Sequence, residues 1–389
     1  MQSILIDGRF VGVGDSMTRY TLETLKRLLP LDKENKYTIL LRPQGLKVLD
    51  QWIKGDLRKR LKTEVLDIPH YSMSEQSKLL HWLNEKKFDL VHFVQFNHPI
   101  RYRGKFVITI HDLTLLGHLH RMNFARKLGF RVAMKSAVKN SSKIITVSQT
   151  SKDDIVDYYK IDPNKIVVTH LAVDDRYTSN LKSQISKIRK FKEKYKIVGD
   201  YILYTGMWQR HKNLLRLMRA FEQVKKQSPR DINQINIQLV LVGKIDKDEP
   251  EILKEIDRIN SSLHLTSHIS QPIVTTGFID EEELPLAYAG ALAYCIPSLS
   301  EGFGLPPLEA MASGTPVISS NISAMPEILG KAPLYFDPYD VDDMAKAMAK
   351  VIKSKELRDQ LSRRGLEQVK KYNWQDTAEK TLCVYKSVL

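Results

Sequence analysis

The chain has 389 residues, 42% of them apolar and 27% charged, a length that exceeds one core, suits two domains of ordinary size and excludes disorder. Only Cys295 and Cys383 are present, with no CxxC and no Cys/His cluster, so neither a disulfide framework nor a zinc site is expected, and both read as small buried hydrophobes. The net charge of +15 is uneven: residues 1–180 hold 30 Lys and Arg against 19 Asp and Glu, +11 of the total, which draws the first half toward an anionic surface or substrate such as phospholipid, a lipid diphosphate or nucleic acid.

Short β-rich runs, SILID (3–7), YTILL (37–41), DLVHF (89–93), KFVITI (105–110) and KIITV (143–147), alternate with helix-period stretches. The rhythm returns in YILYTG (201–206), IQLVLVG (237–243), ALAYCIPS (291–298) and TPVISS (315–320), predicting two doubly wound α/β domains in tandem. After the first strand, Gly12 and Gly14 fall where backbone can approach a phosphate, or where the chain simply turns. Gly8, Gly12 and Gly14 do not give G-x-G-x-x-G, which argues against a dinucleotide-dependent dehydrogenase. No stretch approaches the roughly 18–20 apolar residues of a membrane span, and MQSILIDGRF reads as a strand instead of a signal peptide, so the protein is expected to stay in the cytoplasm.

His111 follows the strand 105–110 and so projects at the carboxyl edge of the first sheet, where open α/β sheets bind ligands. A lone imidazole is also often structural, as His92, His98 and His170 warn. Asp112 would either orient that site or cap the next segment. Lys127, Arg131, Lys135 and Lys139 recur every four residues, a basic stripe suited to docking at the inner face of an anionic membrane or to a solvated helix face. Aromatic platforms for stacking bases are absent, so no nucleic acid is expected as partner. Residues 179–199 are lysine-rich and poor in core residues and read as an exposed linker between domains at 1–178 and 200–372, with the binding cleft at this hinge. A final amphipathic helix follows the Asn-Trp break at 373–374.

The strand 201–206 ends at Gly206, and Lys212–Asn213 opens the next helix. A lysine at the mouth of that turn can neutralise a diphosphate as a point charge, with Arg210 and His211 beside it. Asp246-Lys-Asp248 and Asp340-Val-Asp342 could be read as a metal clamp, but in loops or helix starts they read better as solvated acids, and neither metal nor cofactor is required. The most informative segment is SLSEGFGLPPLEAMASGTPVISS, 298–320. A strand runs into a glycine-containing loop, and Pro306 and Pro307 begin a helix where their missing N–H groups cost nothing. Amides at Gly302, Phe303 and Gly304, with the helix N-terminus at Leu305, suit a phosphate or sugar oxygen. Glu309 is expected in the helix's first turn and Glu301 stands eight residues before it, so two carboxylates converge on one pocket. Taken singly, Glu309 is a charge complementing a helix dipole and Glu301 a loop acid.

The string E-G-F-G-L-P-P-L-E-A-M-A-S-G-T-P-V-I resembles the E-x7-E motif of the family 4 retaining glycosyltransferases, which have the GT-B fold, two Rossmann-like domains facing across a cleft. The resemblance implies that Glu301 faces the donor sugar, that Glu309 holds the ribose hydroxyls and that the amides of Gly302, Phe303 and Gly304 touch sugar and phosphate. Gly206 and Lys212 are similar to the family's G-x5-K-[GN] element, whose lysine binds the donor diphosphate. The family's accompanying arginine is replaced here by Met207 and His211, leaving Arg210 or His211 as the second cation. His111 matches the family's first-domain histidine, a contact of the donor sugar. Gly12 and Gly14 match its N-terminal glycine loop, although Asp15–Met17 intervene before the expected helix start. Residues 275–291 resemble the segment beside the nucleotide base, reached by backbone near Phe278 and Ile279. The last helix, 373–389, resembles the one by which this fold returns to its first domain. The expected activity is retaining transfer of a hexose from a nucleotide diphospho-sugar, GDP-mannose or a UDP-sugar, to a saccharide or lipid-linked saccharide. An epimerase of the same fold or a silent carbohydrate- or membrane-binding protein are the alternatives.

Overall fold

The computed structural model describes residues 1–13, 15–117, 123–177, 181–227, 237–244, 246, 249–263 and 271–389. The first half supplies β1 Ser3–Asp7, β2 Lys36–Leu41, β3 Leu61–Val65, β4 Leu90–Phe93, β5 Phe106–Thr109, β6 Lys143–Thr146 and β7 Ile166–Val168, all parallel in the order β3-β2-β1-β4-β5-β6-β7. The second supplies β8 Asp200–Thr205, β9 Ile237–Val242, β10 Ile273–Gly277, β11 Ala293–Ile296, β12 Val317–Ser320 and β13 Leu334–Phe336, parallel in the order β10-β9-β8-β11-β12-β13. Strands β4, β5 and β9 are buried at every residue; their polar members His92, Thr109 and Gln238 are hydrogen-bonded and the rest is apolar, which is why they read as nearly continuous hydrophobic runs.

In each sheet the strand order reverses once, between β1 and β4 and between β8 and β11. Connections leaving those neighbours go to opposite sides, so the loops at their carboxyl ends part and leave a crevice.

Met1–Leu171 with Asn373–Leu389 forms one compact unit and Ala172–Tyr372 the other. The final helix, Trp374–Val388, is capped by the Asn373 side chain, which accepts the Asp376 amide at 2.8 Å, and it packs on the first helix, Asp15–Leu31. Within the expected linker, 179–199, the described residues are built into the second unit. Leu181 and Phe191 are buried there, and helix Ile185–Lys194 lies against helix Leu284–Ala289. Lysine density hid these two anchors, so the boundary falls at 171–172 instead. Cys295 is buried as expected, but Cys383 is exposed because Ala378, Leu382 and Tyr385 take the inward face of its helix. No described helix is long and apolar enough to cross a membrane.

A polar chain crosses the core of the first unit. His92 on β4 shares one ring nitrogen with the Tyr385 hydroxyl at 2.6 Å and the other with Thr109 at 2.8 Å, and Thr109 meets the Tyr20 hydroxyl at 2.9 Å. Burial holds the His92 pKa down near 3, and burial lowers His70 to about 4. Unfolded, His92 takes up its proton as pH falls through about 6.5; folded, it does so only near 3. The unfolded state therefore binds the extra proton between those values, and stability declines as pH falls through that window. The melting temperature should drop on the order of 5 °C between pH 7 and pH 5, and His92→Gln should flatten that slope. An unchanged slope in the variant would remove His92 from the account.

Candidate active site

In the second unit the loop after β8 is shaped by a close crossing of strand ends. A Cβ added at Gly243, φ +137°, would stand 1.9 Å from the Gly206 carbonyl oxygen, so only glycine lets the two loops leave the sheet side by side. Trp208, fully buried, anchors the loop, and Arg210–Lys212 makes one tight turn. Asn213 closes that turn in the left-handed region, φ +61°, which explains an Asn directly after the lysine. Its amide donates to the carbonyls of Pro297 (3.0 Å) and Pro338 (2.8 Å), tying the loop after β8 to the loop after β11.

That tie brings Lys212 onto Glu301. The Lys212 ammonium donates to both carboxylate oxygens, at 2.7 and 2.8 Å, and the Ser298 hydroxyl donates to one of them at 2.7 Å. Burial alone would raise the Glu301 pKa, but the Lys212 charge and the bonds from Lys212 and Ser298 outweigh it and hold the carboxylate ionised. The Glu301 main chain is fixed on both sides by Ser323, whose hydroxyl accepts the Glu301 amide at 3.0 Å and donates to its carbonyl at 2.9 Å.

Gly304, φ +86°, starts helix Leu305–Ala312, with Pro306 and Pro307 in its first turn as expected. Glu309 lies in the second turn, not the first, because the helix begins at Leu305. It is also buried, 3% exposed, where the Tyr288 hydroxyl donates to its carboxylate at 2.9 Å. Burial, with Glu309 beside it, keeps Tyr288 protonated and therefore a donor. The Tyr288 oxygen also meets Thr205 at 2.8 Å, and Thr205 lies 3.3 Å from the Tyr294 hydroxyl. Tyr294 feels the charges of both Glu301 and Glu309, so the two carboxylates flank one strand end, the β8/β11 crevice.

Phe303 turns its ring inward, edge-on to Tyr372 with centroids 5.6 Å apart, so only its backbone is left to meet a ligand; Gly302 and Gly304 are buried and Leu305 half-buried. Phe278 is exposed and Ile279 buried just after β10, where the Gly277 carbonyl accepts the Gly243 amide at 2.9 Å. Arg210 is exposed on its turn, whereas His211 lies near enough to Glu301 to favour its ionised form. Asp340 accepts the amides of Asp342 and Asp343 and caps helix Val341–Lys353; Asp248, of the other D-x-D string, lies outside the described residues.

In the first unit His111 follows β5 at the carboxyl edge. Its Nε2 lies 3.3 Å from the Val94 carbonyl, and Tyr20 meets its ring edge-on with centroids 4.9 Å apart. Burial, partly offset by Asp112 and that carbonyl, lowers its pKa, so the ring is neutral at pH 7 and can exchange hydrogen bonds with a hydroxyl. Asp112 spends one oxygen on the Thr114 amide, 2.9 Å, the capping alternative. Gly12, φ +78°, donates its amide to Thr18 at 3.0 Å; Gly14 lies outside the described residues. The first helix begins at Asp15, so no residues intervene between position 14 and the helix.

Residues 184–368 match the family described as glycosyl transferases group 1, and residues 17–177 match glycosyltransferase family 4. The chain belongs to the group 1 glycosyltransferases. O-antigen chain mannosyltransferase B of Escherichia coli is 26% identical over 383 residues, covering 95% of each protein. O-antigen chain mannosyltransferase RfbU of Salmonella typhimurium is 31% identical over 270 residues, 69% of this chain and 65% of RfbU. The serotype-specific mannosyltransferase WbdA of E. coli is 29% identical over 280 residues, so the match spans 70% of this chain but only 32% of WbdA. Among solved structures, Anabaena HepE in complex with UDP and glucose matches over the full length of both chains with a TM-score of 0.76 at 17% identity, a likeness of fold. The fold class is that of the GT-B glycosyltransferases.

Within this glycosyltransferase site, Ser298, Ser323, Tyr288 and Thr205 escaped the reading of the sequence. Ser298 stands three residues before Glu301 and was open to detection. Ser323 on the Glu301 main chain, Tyr288 on the Glu309 carboxylate and Thr205 on the Tyr288 hydroxyl meet only through the packing of segments far apart in the chain.

Proposed function

We propose that the chain transfers a hexose, with retention of configuration, from a nucleotide diphospho-sugar to a saccharide or lipid-linked saccharide in cell-envelope polysaccharide synthesis. Mannose from GDP-mannose is the donor we favour, because the similar O-antigen proteins are mannosyltransferases by name. The observation that carries the reading is the Lys212–Glu301 pair beside the buried Glu309, all at the β8/β11 crevice.

Departure of a nucleoside diphosphate places negative charge where the site is positive. Lys212 and the N-terminal end of helix Leu305–Ala312 supply that charge without a metal, with the His211 ring beside them as a hydrogen-bond donor, and a diphosphate competes with Glu301 for the Lys212 protons. Glu301, ionised and held by Ser298 and Ser323, steadies the sugar as positive charge develops at its anomeric carbon. No side chain of the site stands out as a covalent nucleophile, so we assign front-face substitution, in which the acceptor enters on the side the diphosphate leaves. The neutral His111 ring serves as hydrogen-bond partner to a sugar hydroxyl.

A thermal-shift panel of GDP, UDP, ADP and dTDP, each alone and as its sugar, tests the donor. At about 100 times its dissociation constant GDP should stabilise by about 2.7 kcal/mol, a rise of several degrees, with EDTA present throughout. A rise with UDP alone would change the base; no rise with any nucleotide would overturn the donor site.

A further inference from the structure

Helix Phe124–Asn140 in the first unit is apolar on two sides. Met134, Ala137 and Val138 are buried in the core under it, yet Phe124, Leu128 and Val132, each one turn from the next, are 81%, 51% and 45% exposed. At about 100° per residue, Arg131, Lys135 and Lys139 fall between and beside these three within one arc of about 100°. The basic stripe seen in the sequence is therefore interleaved with an apolar ridge, on a helix whose 17 residues include no Asp or Glu.

A solvated face would carry the cations without the ridge, and a face awaiting a protein core would carry the ridge without so many cations. Apolar side chains set among cations suit the boundary between lipid headgroups and acyl chains, where the one sinks and the other meets phosphate.

We propose that this face docks on an anionic lipid bilayer, with Phe124, Leu128 and Val132 at the acyl boundary and Arg131, Lys135 and Lys139 on lipid phosphates. The inference stands apart from the donor chemistry. Sedimentation with vesicles of phosphatidylcholine, alone or mixed with phosphatidylglycerol, tests it. Wild type should bind the anionic vesicles and lose binding as salt rises. The triple variant Phe124→Ser/Leu128→Ser/Val132→Ser and the pair Lys135→Glu/Lys139→Glu should each bind at least about tenfold more weakly, with unchanged melting temperature and nucleotide protection. Wild-type binding that ignores phosphatidylglycerol, or variants that bind as wild type does, would overturn the proposal. So would a dimer in light scattering that the triple variant dissolves, since the face would then belong to a second copy.

Discussion

Replacing Lys212 with alanine is expected to slow sugar transfer by about 10²–10³-fold and to lower the melting temperature by a few degrees. Both effects follow from the same pair. In the resting site Lys212 neutralises Glu301, whose side chain is only 13% exposed and whose other side-chain partner is Ser298. Removing the ammonium leaves a carboxylate desolvated with one hydroxyl to satisfy it, costing about 2 kcal/mol for a pair that keeps some contact with water. In the proposed transfer the same ammonium meets the leaving diphosphate. The double variant Lys212→Ala/Glu301→Gln separates the two roles: a neutral amide no longer needs the cation, so the melting temperature should recover while transfer stays lost. Transfer within about threefold of wild type in the single variant would remove Lys212 from the leaving-group site.

Glu309→Gln should raise the dissociation constant of the nucleoside diphosphate by about 10²-fold and abolish its thermal protection at ordinary concentrations, while protection by inorganic pyrophosphate is kept. The carboxylate is buried and held by Tyr288, so it is fixed in one orientation before any ligand arrives, and an amide cannot accept on both oxygens as a carboxylate does. Tyr288→Phe removes one hydrogen bond to that charge and should weaken nucleotide binding by about tenfold. A donor lacking the ribose hydroxyls should be indifferent to both substitutions. Equal loss with that donor would move Glu309 away from the ribose and leave it a structural residue of helix Leu305–Ala312.

The strands that reading the sequence missed are informative about what a sequence can carry. Leu61–Val65, Ile166–Val168, Ile273–Gly277 and Leu334–Phe336 are the four edges of the two sheets. An edge strand pairs on one side only; these four are short or carry polar residues on a partly wet face, so they lack the continuous apolar run of a strand covered from both faces. The central strands, which place the crevices, were legible for the opposite reason.

The residues of the donor site follow the same division. Spacing along one segment determined Glu301, Glu309 and the proline-led helix between them, and a glycine followed by Lys-Asn determined the turn after β8, because local backbone geometry is written locally. Tertiary structure alone decided that Lys212 and Glu301 meet, 89 residues apart in the chain, since Asn213 ties the loop after β8 to the loop after β11. It likewise decided that Glu309 is buried and oriented by Tyr288, where the sequence suggested a charge in a helix's first turn. It also turned a row of four cations into a mixed apolar and basic face, because only packing shows which side of a helix the core leaves to solvent.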